Sequence, residues 1–96
     1  KEAKRPVAVI PVGGNAESEA LIVAERLRKK GYKIELGYSG NLKKRMKRAN
    51  DRNAVAAILL GEDELTRNVG TLRDMDSGEQ NEVSLESLED HLKIYK

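Results

Sequence analysis

Two runs of the chain are apolar at every position: residues 7–12, VAVIPV, and residues 54–60, AVAAILL. Because neither parity is polar, a strand built from either run buries both faces, which predicts two interior strands of a parallel or mixed sheet held between helices. Residues 33–38, KIELGY, alternate instead, with Ile34, Leu36 and Tyr38 on one parity, and so predict a strand nearer the edge. Residues 68–73 and 79–84 read as two further strands joined by the polar turn Asp74-Met75-Asp76-Ser77-Gly78, with Gly78 free to take positive φ.

Helical spacing fills the gaps between them. Ala16, Ala20, Leu21, Ala24 and Leu27 define a helix over 16–30, capped by Asn15 and closed by Gly31, with Glu17 and Glu19 in its first turns and Arg28, Lys29 and Lys30 in its last. A second helix over 42–52 takes Asn41 as its cap and has only a narrow apolar stripe, Leu42, Met46 and Ala49. A third over 85–93 is predicted to start from Ser84, with Val83 and Leu88 forming a hydrophobic staple and Leu85, Leu88, Leu92 and Tyr95 facing the core. Right-handed crossovers then favour a five-stranded mixed sheet of order 2-1-3-4-5 with strand 4 antiparallel, a three-layer α/β/α domain over 6–96 preceded by a charged linker over 1–5.

Charge changes the picture by its placement. The formal net charge is +2, yet residues 26–52 hold eleven Lys and Arg against two acids, and residues 62–92 hold ten acids against two Arg. A cationic segment of that density points to a phosphate-rich partner, while the overall balance argues against indiscriminate coating of nucleic acid. Ninety-six residues support a single core but not a two-substrate enzyme with its own cofactor lobe, so the chain reads as a domain of a longer protein. No stretch has the roughly 18 to 20 apolar residues of a membrane span, and the lack of cysteine removes thiolate chemistry and fits a reducing cytoplasm.

Candidate chemistry is sparse. Gly13-Gly14 lies between a strand and a helix, but its spacing matches neither phosphate-cradling signature, and a plain turn accounts for it. Glu62, Asp63 and Glu64 stand at the carboxyl end of the central strand, where α/β sheets bind ligands; they can hold a hard cation, serve as acid and base, or simply face solvent. His91, the lone histidine, has no nucleophile near it in sequence, which disfavours nucleophilic catalysis. The cationic helix beside a strand-end group of hydrogen-bonding residues fits single-stranded RNA: Lys43, Lys44 and Lys47 on phosphates, carboxylates and amides on base edges, and Tyr38 stacked on a base.

The succession LRKKGYKIEL, YSGNLKKRMKRAN, AAILLGEDEL and VGTLRDMDSGEQNEVSLESL closely resembles the C-terminal anticodon-binding domain of class IIa aminoacyl-tRNA synthetases, and the Gly78-Glu79-Gln80 turn is most similar to the histidyl branch. The resemblance implies the same 2-1-3-4-5 sheet and a tRNA partner, histidine tRNA in that branch. By position it implies that Glu64, with Glu62 in the same motif, reads an anticodon base edge, that Arg73 contacts base or phosphate, and that Asn41 contributes an amide. The chain departs from many histidyl enzymes at Arg73, where they have Lys, and at Gly37. It further implies a cytoplasmic, homodimeric parent whose ATP, magnesium and histidine sites lie in a separate catalytic domain, so that this segment carries no cofactor and does not aminoacylate. Set against RNA reading is a protein-interaction or regulatory module of the same fold, and beside it a small-molecule domain built on Gly13-Gly14.

Overall fold

The computed structural model describes residues 5–13, 16–37 and 41–95. Its elements are β1 (Val7–Val12), α1 (Ala16–Lys29), β2 (Ile34–Leu36), α2 (Leu42–Asp51), β3 (Ala56–Gly61), α3 (Glu62–Thr66), β4 (Val69–Asp74), β5 (Gln80–Ser84) and α4 (Leu88–Leu92), the last followed by a 3-10 turn, Lys93–Tyr95. One sheet holds all five strands in the order β2-β1-β3-β4-β5, as expected. The pairs β1/β2 and β1/β3 are parallel, and β4 runs antiparallel to both β3 and β5. The two apolar runs take the interior because only there are both of their faces covered.

Side-chain parity assigns the layers. Val7, Val9, Ala56, Ile58 and Leu60 pack with Ala20, Val23 and Leu27 of α1 and with Leu88 and Leu92 of α4. The opposite parity, Ala8, Ile10 and Ala57, packs with Ala49 and the half-buried Met46 of α2. Among the described residues no polar or charged one is buried, so the core is held by apolar contact alone.

The structure adds one element and revises another. The acidic motif after β3, to which the sequence pattern assigns no element, winds into the short helix α3 over Glu62–Thr66, with Gly61 in its N-cap position. The last helix was expected over 85–93 from a Ser84 cap, with a Val83–Leu88 staple; α4 starts instead at Leu88, with Ser87 before it making no side-chain cap bond. Leu85 is the reason. Its N–H donates to Asn68 O, its carbonyl accepts from the Arg26 guanidinium, and its side chain is buried, so the backbone stays committed to the sheet for one residue past β5. Ser84 Oγ accepts from Glu86 N at 3.3 Å, making a turn rather than a helix start. The expected Asn15 cap lies outside the described residues, whereas the positive φ at Gly31 and Gly78 occurs where the chain turns.

At the amino end of β1 and β3 a polar network closes the sheet. Arg5, placed in a linker by sequence, donates to both carboxylate oxygens of Asp76 at 2.9 Å and to the carbonyls of Asn53 and Ala54. Asp74 accepts from the N–H groups of Asp76 and Ser77 and from the Tyr95 hydroxyl. Those donors hold the Asp74 carboxyl below the ordinary range, the Ser77 amide most of all. Burial, and then the bond to Asp74, push Tyr95 up to about 12. A raised tyrosine stabilises the fold fully below its ordinary value near 10 and loses that contribution as pH rises through about 12; a depressed aspartate contributes above the ordinary carboxylate range and loses it as pH falls through its own lower value. Tyr95→Phe is therefore expected to lower stability at neutral pH and to remove the part of the alkaline loss that falls between pH 10 and 12, as followed by urea unfolding midpoints across pH.

Candidate nucleic-acid interface

Helix α2 begins where the sequence places it. Asn41 adopts an extended conformation, φ −80 and ψ 175, and its Oδ1 accepts from Lys44 N at 2.9 Å, so its side chain fills one of the orphan donors of the first turn. The helix's cations divide by angle around its axis. Arg45, Arg48 and Arg52 line a small hollow with Glu35, Leu36 and Gly37, on the β2 flank. Arg45 also donates to Pro11 O, and Arg52 to Glu35 at 3.3 Å. At about 100° per residue, Lys43 and Lys47 fall on the other flank, toward β3 and β4, and Lys44 points outward. All three lysines are exposed. Lys47 makes a 3.0 Å pair with Asp51, but the two side chains are 75% and 59% exposed, a pair of little energetic consequence that a phosphate can displace.

The β3–β4–β5 part of the sheet carries the polar floor on the same side as α2. In the ladder Ala57 faces Arg73 and Leu59 faces Thr71, and these in turn face Gln80 and Glu82 of β5. Paired residues share a face, and Ala57 belongs to the cluster under α2, so Thr71, Arg73, Gln80 and Glu82 all lie on that face. Arg73 and Thr71 are half-buried, and Gln80 and Glu82 exposed. Arg73 Nη1 donates to Gln80 Oε1 at 3.2 Å.

Glu64 reaches this floor from α3. One carboxylate oxygen accepts from Gly61 N at 2.9 Å and the other from the Thr71 hydroxyl. The first bond is one half of a capping box, the half that a glycine N-cap can share, since glycine has no side chain to return the second. Glu64 therefore meets at Thr71 the face that carries Arg73, and Thr71 and Arg73 are two residues of β4 apart, roughly 7 Å at the usual rise. Glu82 is bound by Arg67 at 2.8 Å, and Arg67 also reaches Asp63 at 3.4 Å; these carboxylates, Glu82 first, hold the Arg67 guanidinium above its ordinary value.

Glu62 extends over the β1 turn. A Cβ on Gly13 would lie 2.9 Å from Glu62 Oε1, a side-chain tip that is exposed and can shift, but Gly13 has φ +107, so this position needs glycine for its conformation. With a carboxylate over it, this turn repels rather than cradles a phosphate; Gly14 lies outside the described residues. Among those residues no group of three or more His, Asp or Glu side chains is placed to hold a metal ion, and no helix is long and apolar enough to cross a membrane.

Of the residues singled out by sequence, Glu64 and Arg73 thus meet one face, Lys43 and Lys47 lie on the flank of α2 turned to it, Lys44 points outward, Asn41 caps α2, Glu62 stands over the β1 turn, and Tyr38 lies outside the described residues. Thr71, Gln80 and Glu82 escaped the sequence reading. The signal that could have found them is the ladder register, which places alternate residues of QNEVS opposite those of VGTLRD.

A small mixed-sheet domain with a polar sheet face beside a cationic helix defines a class, and a model of the anticodon binding domain matches residues 6–94. The chain belongs to the anticodon binding domain family. It is 52% identical over 90 residues to a histidine–tRNA ligase of Rhodospirillum rubrum and 42% identical over 90 residues to one of Gluconacetobacter diazotrophicus. Each match takes in 94% of this chain and 22% of the relative, so the chain spans less than a quarter of those proteins. A crystal structure of histidyl-tRNA synthetase from a Nostoc species superposes with a TM-score of 0.88 at 26% identity, over 96% of this chain and 22% of that one.

Proposed function

We propose that this domain binds the anticodon loop of histidine tRNA on behalf of a cytoplasmic histidine–tRNA ligase, positioning the tRNA for a catalytic domain elsewhere in that protein. The observation that carries the reading is the polar sheet face of Thr71, Arg73 and Gln80 on the same side of the sheet as α2, whose lysines are exposed. Lys43, Lys44 and Lys47 hold loop phosphates, a contribution independent of sequence and sensitive to salt. Arg73, the Asn41 amide N–H2 and Glu62 meet bases or sugars, and Tyr38 stacks. Homodimerisation, and the use of ATP and magnesium, are assigned in this reading to the parent protein. The interaction-module alternative finds no support in the family match, which is to anticodon binding domains.

In this reading Glu64 organises the site more than it reads a base, because its bonds to Gly61 N and the Thr71 hydroxyl tie the start of α3 to β4. Binding of the 96-residue chain to a histidine-tRNA anticodon stem-loop, against the same stem with a scrambled loop, tests the function; equal affinity for the two would refute it. In the same assay Glu64→Ala should weaken both RNAs by a similar factor and lower stability by about 1 kcal/mol, the usual worth of a helix cap. A loss confined to the histidine loop would instead make Glu64 a direct reader.

A further inference from the structure

The uncovered sheet face has an asymmetry of hydrogen-bonding sense. Its acceptors are anchored by protein donors: Glu64 by Gly61 N and the Thr71 hydroxyl, and Glu82 by Arg67. Its donors are less committed. Arg73 gives one N–H to Gln80 and, among the described residues, has no other hydrogen-bond partner, so the rest of its guanidinium fork is unspent. The Gln80 amide is oriented by that contact, because only its oxygen can accept from a guanidinium, which turns its NH2 group outward from the shared bond. Gly78 permits the arrangement through its φ of +80, which brings β5 back alongside β4.

Resting on the RNA-binding reading above, we infer that Gln80 is a base-reading residue which, locked to Arg73 across the β4–β5 ladder, presents a donor edge that selects a nucleobase with adjacent acceptors. Guanine, through O6 and N7, offers such a pair on its Hoogsteen edge. Adenine replaces O6 with an amine, a donor meeting donors, uracil sets N3–H between its two carbonyls, and cytosine offers adjacent N3 and O2 only on its Watson–Crick edge, which the loss of N7 in a guanine analogue leaves untouched. The inference reverses the sense of recognition expected of a carboxylate reader, in which protein acceptors meet guanine's N–H groups.

The test uses the 96-residue chain and RNA hairpins that differ in one loop nucleotide: guanine, deazaguanine lacking the N7 acceptor, or adenine, with affinity measured by fluorescence anisotropy. The wild-type chain is expected to prefer guanine over both alternatives by about tenfold, within the range for a good bidentate contact. Gln80→Ala should remove most of that preference, and Gln80→Glu, which supplies acceptors, should move it toward adenine. Because the readout is a ratio between hairpins on one protein sample, it is independent of the fraction folded. A preference that survives both substitutions overturns the role of Gln80 while leaving RNA binding intact. Failure of the wild-type chain to bind any hairpin overturns the proposed function and this inference with it.

Discussion

Replacing Lys43, Lys44 and Lys47 together by alanine should lower affinity for RNA hairpins of any loop sequence by about a hundredfold at ~0.1 M salt. The estimate follows from counterion release: each phosphate neutralised on a single strand contributes about 0.7 to the log–log salt slope, so three lost contacts flatten it by about 2, and at ~0.1 M each unit of slope is a factor of ten. Filter binding across a salt series reads both numbers at once. The lysines are suited to this experiment because they are exposed and contribute little to the fold; Arg45, which donates to Pro11 O, is not. If the triple variant kept its salt slope, the phosphate rail would have to lie elsewhere on the molecule.

Leu60→Ala should cost the fold about 2–5 kcal/mol, measured by urea denaturation, because the side chain is fully buried and its removal leaves a cavity in addition to the lost transfer energy. Against a total of about 5–15 kcal/mol for a domain of this kind, that is a large share. The position also bears on function. A Cβ on Gly70 would lie 3.0 Å from Leu60 Cδ2 and 3.3 Å from Leu85 Cδ2, so Leu60 and Leu85 close directly over the start of β4, the strand that carries Thr71 and Arg73. The vacancy would loosen the strand under the floor, and RNA affinity should fall along with stability; an unfolding midpoint that did not move would show that β4 collapses into the gap.

The sheet order was legible in the chain because two runs are apolar on both parities while KIELGY alternates, and those patterns leave little freedom in which strands lie inside. The Asn41 cap was legible for a similar reason, since its action reaches only three residues along the chain. Helix α3 was not: five residues with no apolar periodicity and a glycine in the cap position carry no helical signal. The Ser84 misreading has a tertiary cause. Two serines three residues apart both precede a leucine, and only the long-range bonds to Leu85, from Asn68 and Arg26, decide between them. The same holds for the site: the residue types were visible, but whether a given carboxylate or guanidinium is spent inside the protein depends on register. Thr71 anchors Glu64, and Gln80 pairs with Arg73, through contacts that join separate strands and helices.

The fork of Arg5 on Asp76 ties the chain's entry into β1 to the turn that carries Arg73 at one shoulder and Gln80 at the other. Its partners are 34% and 65% exposed, so dissolved ions reach it as readily as they reach the lysine rail. If the proposed roles hold, brine acts on this domain twice over, weakening the lysines' attraction for a phosphodiester backbone and slackening the turn between Arg73 and Gln80.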